Sequence, residues 1–187
     1  MKPWKTAILL ASLLGFLFMA GMGPVLGESK MEVTSSAFKD GETIPTKYAM
    51  SGAGGKNVSI PIEWKGVPQG VKSFAVSIVD PHPVAKNWVH WLVINIAANV
   101  ASLPEGASGK NMPAPPTAIE LKNSFGGVGY GGPQPPKGSG RHPYVVTVYA
   151  LDADTIETGG QSNLAAFRKA IGGHVLAEGK ITGYYEQ

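Results

Sequence analysis

Three segments that lie far apart in the chain each place an ionisable side chain beside residues that favour turns. Asp80 occurs in VDPHP, His90 in WVHW, and His142 near the end of GGPQPPKGSGRHPY. A carboxylate and two imidazoles can accept and donate hydrogen bonds and exchange protons near neutral pH. Because the rest of the chain is poor in charge and rich in Gly and Pro, these segments predict one polar pocket.

The residues around Asp80 indicate how it is presented. Asp80 follows the apolar run SFAVSIV and precedes Pro81 and Pro83, so we expect it at the end of a strand. The two prolines fix the backbone and remove two amide donors, which stiffens a turn that carries both Asp80 and His82. The alternative, in which Asp80 only caps this turn, stays open at the level of sequence.

His90 lies inside an apolar run, so its imidazole should be buried and in need of a hydrogen-bond partner. Alternation along a strand places Trp88, His90, Leu92 and Ile94 on one face and turns Trp91 to the other. A lone histidine on such a face is more often a satisfied core residue than a ligand. Its coincidence with Asp80 and His142 favours a functional role.

Segment 123–144 has the composition of a long loop. Its FGGVGYGG run lets the backbone approach a ligand closely and bind an anion through amides, and PQPP forms a stiff wall. The glycines are not followed by GKS or GKT, as in a P-loop, and a strand rather than a helix follows, unlike a dinucleotide fingerprint. A loop this long in a compact domain is usually functional or disordered.

The spacing of Gly and Pro, about one break every ten residues, favours a mostly β architecture. Runs such as VSIV, WLVINI and YVVTVYAL predict a central sheet that is buried on both faces. Leu164, Phe167 and Ile171 share one face of a predicted helix over 162–171, which Ser162 or Asn163 can cap. The predicted strands are Met31 to Phe38, Val58 to Trp64, Ser73 to Val79, Trp88 to Ile96, Tyr144 to Leu151 and His174 to Tyr184.

The first 27 residues have the pattern of a secretory signal peptide, with Lys2 and Lys5 before an apolar run that is short for a membrane span. We expect cleavage before Glu28 and a periplasmic or secreted single domain over 28–187; an uncleaved anchor is the alternative. Without Lys2 and Lys5, 14 basic residues face 13 acidic ones, a net charge of +1. The basic residues are scattered singly, which argues against nucleic-acid binding.

The chain resembles the phosphatidylethanolamine-binding protein family, in its bacterial Raf-kinase-inhibitor-like branch. The DPHP, HW and GYGGPQPPKGSGRH elements occur together in the family's order. The matching segments run from Ser59 to Pro83, from Trp88 to Ile96, from Asn123 to Asp152 and from Gly172 to Tyr185. The resemblance implies an antiparallel β-sandwich with a short helix in its C-terminal half, and a small pocket for phosphate or phosphoryl head groups.

Carried over by motif position, the pocket would use Asp80, His90, His142 and Tyr144. Its wall would be shaped by neighbouring turn residues, namely Pro83, Gly131, Gly132 and Pro133. The imidazoles and the Tyr144 hydroxyl would donate to oxyanions, while Asp80 would orient a histidine or receive an ammonium group.

The chain departs from the family pattern at three positions. His82 stands where a second Asp is usual, which should favour anions over an ethanolamine ammonium. Pro143 replaces an Arg, with Arg141 nearby, and Gln134 replaces a frequent Cys. We therefore include His82 in the ligand site and expect a small anion such as phosphate or phosphoethanolamine, with membrane contact at most through lipid head groups.

Rival functions remain open from the sequence. Asp80, His82, His90 and His142 offer a ligand set that suits a divalent metal if they converge, and such a site could support hydrolysis. A protease- or kinase-inhibitor-like role with a protein partner is a third reading. Ser124 or Ser139 as a nucleophile lacks a recognisable motif, so we expect no enzymatic activity, no cofactor and no resident metal.

Overall fold

The structure is a computed structural model that describes Met1, residues 31–109, Met112 and residues 118–187. The signal peptide predicted over 1–27 lies, apart from Met1, outside the described residues. In the part of the chain that the structure describes, no helix has the length and apolar character that a membrane span needs.

Two antiparallel sheets make up the fold, as the sequence predicts. The larger sheet has the strand order β6-β4-β3-β7-β8 and the smaller one the order β1-β2-β5. A single α-helix, α1, spans Leu164–Ile171 in the described chain, and short 3₁₀ turns occur at Thr46–Tyr48 and Ser51–Ala53. The strands are β1 Glu32–Thr34, β2 Ile62–Lys65, β3 Ser73–Asp80, β4 Trp88–Ala97, β5 Ser102–Leu103, β6 Ile119–Glu120, β7 His142–Leu151 and β8 Val175–Tyr185.

The long strands match the sequence prediction to within two residues at either end, because runs of β-branched and aromatic residues mark them clearly. The outer strands are shorter than predicted: β1 has three residues and β2 has four. The strands β5 and β6 were not predicted, since two residues each are too few for an alternating pattern.

The central sheet is covered on both faces, which explains why every residue of β3 is buried. On one face, Val33, Trp64 and Leu103 of the small sheet pack with Phe74 and Val146. On the other face, α1 contributes Phe167 and Ile171, which pack with Ala75, Leu92 and Leu151. Asn163 caps α1 by accepting a hydrogen bond from the Ala166 amide, and Gly172 follows its last residue.

A β-bulge in β4 breaks the simple alternation expected around His90. Ile78 of β3 pairs with Trp91, whereas the next residue, Val79, pairs with Val89, so His90 is the extra residue. The prediction that Leu92 and Ile94 share the face of His90 is wrong, since they pack in the cluster against α1. Trp91 instead lies in the core between the sheets. Bulges of this kind re-aim a side chain beside functional sites.

Candidate ligand-binding site

Three neighbouring strands have their termini at one end of the large sheet, around a cavity of ≈ 180 Å³. Strand β3 ends there with Asp80, β4 begins there with Trp88, and β7 begins there with His142. Segment 123–144 and the turn between β3 and β4 supply the remaining wall. The lining residues are Asp80, Val84, Ala85, Trp88, His90, Phe125, Gln134, Pro135, Pro136, His142 and Tyr144.

Asp80 is 3% exposed, and both of its carboxylate oxygens accept hydrogen bonds. Its Oδ1 accepts from the backbone amide of His82 at 2.8 Å, which closes the DPHP turn. Its Oδ2 lies 2.6 Å from Nδ1 of His142. Asp80 therefore caps the turn and also orients His142, so its structural role in the turn and its place in the site are not alternatives.

The hydrogen bonds around His142 define where its protons lie. Nε2 of His142 lies 2.9 Å from Oγ of Ser139, and that hydroxyl donates its single hydrogen to the Pro136 carbonyl at 2.6 Å. Ser139 Oγ must then accept from Nε2, while Nδ1 donates to the Asp80 carboxylate. All these contacts are satisfied only when both ring nitrogens carry hydrogen. The contact between the buried Asp80 and His142 is an ion pair when His142 is protonated.

His90 is held by a backbone carbonyl. Its Nδ1 donates to the Gly131 carbonyl at 2.6 Å. Burial lowers the pKa of His90 to about 4, outweighing the opposing effects of the Gly131 carbonyl and the Asp80 charge. The ring is therefore neutral at pH 7 and carries its lone pair on Nε2. We expected His90 to donate to an oxyanion, but in the free protein the nitrogen left for the cavity is an acceptor.

Tyr144 contributes a hydrogen-bond donor. Its side chain is 1% exposed and lines the cavity, with its ring 4.8 Å from that of His90. The backbone amide of Gln134 lies close enough to its hydroxyl oxygen to oppose the rise in the pKa of Tyr144 slightly, but among the described residues no group accepts the hydroxyl hydrogen. Burial raises the pKa of Tyr144 above its usual value, so the hydroxyl keeps its proton. A buried hydroxyl hydrogen without an acceptor is costly and uncommon, so this one is available to a group that enters the cavity.

His82 and Pro83 belong to the predicted site but do not line the cavity. His82 is half-buried and stacks on His142, with ring centroids 3.8 Å apart and planes 24° apart. Its Nδ1 accepts from the Val84 amide at 3.3 Å. Pro83 is exposed. Neither His82 nor Pro83 lines the cavity, because the turn directs both away from it.

Gly131, Gly132 and Pro133 of the glycine-rich loop support the site through their backbone groups, without lining the cavity. The Gly131 carbonyl receives Nδ1 of His90, and the Gly132 amide donates to Oδ1 of Asn57 at 2.7 Å. The Pro133 carbonyl accepts from the Met50 amide at 3.1 Å. None of these three residues lines the cavity. Their backbone groups are used within the protein, so the expected anion cradle of loop amides does not form at these positions.

Several wall residues were missed or underrated from sequence. Phe125 is 39% exposed, Trp88 37% and Val84 54%, and together they form an apolar rim. The only sequence signal for Phe125 is a large aromatic residue within a glycine-rich loop. Ser139 was considered as a nucleophile, but its role as a partner of His142 depends on the fold of segment 123–144 and has no local signal.

The four residues of the proposed metal set do not form a metal site here. Within the described ranges, no group of three or more His, Asp or Glu side chains is arranged to hold a metal ion. The reason lies in their hydrogen bonds: both nitrogens of His142 are engaged, and His82 stacks on that ring instead of converging on a shared point.

The model of the phosphatidylethanolamine-binding protein family matches residues 34–186. The chain belongs to this family. Within it, the chain is 40% identical to the protein YbcL of Escherichia coli over 159 residues, covering 83% of this chain and 87% of YbcL. It is 34% identical to YbhB of the same organism over 158 residues, covering 83% of this chain and 99% of YbhB.

Solved structures of family members share the fold. The crystal structure of Escherichia coli YbcL, described as a new member of the mammalian family, aligns with a TM-score of 0.78 at 38% identity, covering 84% of this chain and 99% of that one. A putative phosphatidylethanolamine-binding protein homolog from Chlamydia trachomatis aligns with a TM-score of 0.71 at 30% identity, covering 85% and 99%. The resemblance inferred from the sequence motifs is therefore confirmed.

Proposed function

We propose that this protein binds a small ligand bearing a phosphoryl group in the cavity at the end of β3, β4 and β7. The observation that carries the proposal is the buried Tyr144 hydroxyl, which lines the cavity and whose hydrogen has no acceptor among the described residues. A ligand oxygen at this point would accept its hydrogen and relieve the cost of the unmade hydrogen bond. The family name refers to a phospholipid, which is a phosphoryl compound, although the phosphate of that lipid is a diester.

The size of the cavity limits what can enter it. Pockets for drug-sized ligands have volumes of about 300–1,000 Å³. At ≈ 180 Å³, this cavity suits a head group or a small metabolite, but not acyl chains. The exposed ring of Trp88 and the Phe125 ring, 5.3 Å apart, flank the cavity and give a ligand's less polar end a surface to rest on.

We further propose a binding role without turnover. Asp80, His142 and Ser139 lie in the order of a serine-hydrolase triad, with contacts of 2.6 and 2.9 Å. A general base needs a free lone pair to take the proton of the serine. Because Ser139 donates its single hydrogen to the Pro136 carbonyl, that hydrogen is not directed at Nε2 of His142 as the step requires.

Export belongs to the same proposal and rests on the pattern of the first 27 residues. A protein that binds phosphoryl compounds outside the cytoplasm would meet lipid head groups and soluble metabolites there. Fractionation of cells that express the full chain, with N-terminal sequencing of the product, tests this part. A product in the cytoplasm that retains Met1 would contradict export.

Ligand titrations of two tyrosine variants test the binding site. We expect phosphate and phosphoethanolamine to bind the wild type, and Tyr144→Phe to weaken them by about 10- to 100-fold, since a hydrogen bond to a charged group contributes about 1.5–3 kcal/mol. Tyr149→Phe is the matched control, because Tyr149 lies on the same strand but packs against Phe167 of α1. Equal binding by both variants would refute the site, and no binding to the wild type would refute the ligand class.

A further inference from the structure

The polar groups of the cavity divide into two that are already engaged and two that are open. Asp80 and His142 use each other, together with the His82 amide and Ser139. What remains is the Tyr144 hydroxyl, a donor, and Nε2 of the neutral His90, an acceptor. These two rings lie in contact, with centroids 4.8 Å apart. One small ligand can therefore meet both.

A doubly charged phosphate does not complement this pair. Its oxygens are all acceptors, so one of them would face the lone pair of His90 while only Tyr144 donates to it. A monoanion of a phosphate monoester carries one P–OH and two unprotonated oxygens. It can donate to Nε2 of His90 and accept from the Tyr144 hydroxyl at the same time.

Resting on the proposed phosphoryl-binding function, we propose that the cavity selects phosphate monoesters over diesters and sulfate by holding one proton between the ligand and Nε2 of His90. The complex then contains this proton whichever of the two atoms carries it. A phosphodiester or sulfate has no such proton to bring near neutral pH. The shared chemistry is that of a monoester, whether it is a soluble metabolite or the head group of a lipid with a terminal phosphate.

The charged and titratable groups around His90 all come from the elements packed against it. Asp80 on β3 favours a second proton on the ring, His142 on β7 opposes it, and Tyr144 on β7 is neutral. The Gly131 carbonyl accepts from Nδ1, and Phe125 adds an apolar edge with its centroid 5.6 Å away. Burial dominates, so between pH 5 and 8 the free ring supplies almost no proton of its own.

The linkage has a definite sign. The second pKa of a phosphate monoester is about 6. Below this value the ligand brings the proton itself, so affinity should be nearly independent of pH. Above it one proton must be taken up on binding, so affinity should fall about tenfold for each pH unit, as for any equilibrium that consumes one proton. A diester, which neither gains nor loses a proton in this range, should bind weakly throughout.

Isothermal titration calorimetry of the purified protein with methyl phosphate, dimethyl phosphate and sulfate tests this proposal. Titrations at pH 7.5 in two buffers of different ionisation enthalpy count the protons. We expect uptake of close to one proton with methyl phosphate, about tenfold loss of affinity between pH 7 and 8, and much weaker binding of the other two compounds. Binding of methyl phosphate without proton uptake, or equal binding of sulfate, would overturn the inference and leave the phosphoryl site intact.

A titration at pH 5.5 and the variant His90→Gln distinguish failure of the proposed function from failure of this inference. If none of the three compounds binds at pH 5.5, the proposed function itself fails, and the inference with it. His90→Gln places an amide near the position of Nε2, which can donate to an anion without a titrating proton; we expect affinity that no longer depends on pH and reduced preference over the diester. If this variant fails to fold, the proton count of the wild type still decides.

Co-sedimentation with phosphatidylcholine vesicles that contain or lack phosphatidic acid distinguishes the sources of the monoester. Retention only on phosphatidic acid supports a lipid monoester as ligand. Absence of retention, together with binding of methyl phosphate, supports a soluble one. Retention on both kinds of vesicle to the same extent would contradict selection of the monoester, because phosphatidylcholine carries only a diester.

Discussion

Replacing Tyr144 by Phe should make the ligand-free protein more stable. The substitution removes only the hydroxyl group, which is buried and whose hydrogen has no acceptor among the described residues, while the ring keeps its place beside His90. A buried polar group that makes no hydrogen bond costs about 1–3 kcal/mol. Removing it should raise the free energy of unfolding by a similar amount, whereas most buried substitutions lower it.

Thermal unfolding followed by circular dichroism measures this gain. For a chain of this size, 1 kcal/mol shifts Tm by about 2–4 °C, so the expected rise is readily detected. The control is again Tyr149→Phe, whose hydroxyl lies 3.3 Å from Oγ of Ser77. It loses a hydrogen bond and should lower the free energy of unfolding by about 0.5–1.5 kcal/mol. A fall in Tm for Tyr144→Phe as large as that of the control would refute the assignment of an unsatisfied hydroxyl.

Three further predictions concern stability and catalysis. The pKa of His90 falls from 6.5 to about 4 on folding, so the unfolded chain binds the proton more readily, and about 3 kcal/mol of stability should be lost as the pH falls from 6.5 to 4. Denaturant titrations over this pH range should show a smaller loss in His90→Gln. An equal dependence of stability on pH in the variant and the wild type would contradict the shift. Gly132→Ala should lower the free energy of unfolding by roughly 1–3 kcal/mol or more, because the added Cβ would overlap the Tyr48 carbonyl. Gly173→Ala is the control, since the space around Gly173 is open. Equal Tm values for the two variants would disprove the close packing at Gly132. Ser139→Ala should leave hydrolysis of p-nitrophenyl acetate at the rate of the wild type, and a drop in that rate would reveal a working nucleophile.

The sequence predicts those parts of the site that depend on local patterns. Asp80 is placed at a strand end by the apolar run before it and the prolines after it, and the structure has it there. The motif order brings His90, His142 and Tyr144 to the same cavity. The helix and its cap follow from the spacing of Leu164, Phe167 and Ile171.

The rest depends on contacts between distant segments. The bulge at His90 arises from the pairing of β3 with β4, and strict alternation within β4 cannot reveal it. The hydrogen bond at Nε2 of His142 depends on Ser139, and the acceptor character of His90 depends on the Gly131 carbonyl. Single residues thus indicate where the site is, but the direction of its hydrogen bonds appears only with the folded loop.

A crystal structure of the protein grown with methyl phosphate near pH 6 would show directly whether the cavity binds a phosphoryl group. We expect that group in the cavity, with one oxygen within hydrogen-bond distance of the Tyr144 hydroxyl and another within that distance of Nε2 of His90. The Asp80 to His142 contact should remain. An empty cavity in crystals that hold the ligand elsewhere, or a phosphoryl group held by other residues, would contradict this expectation.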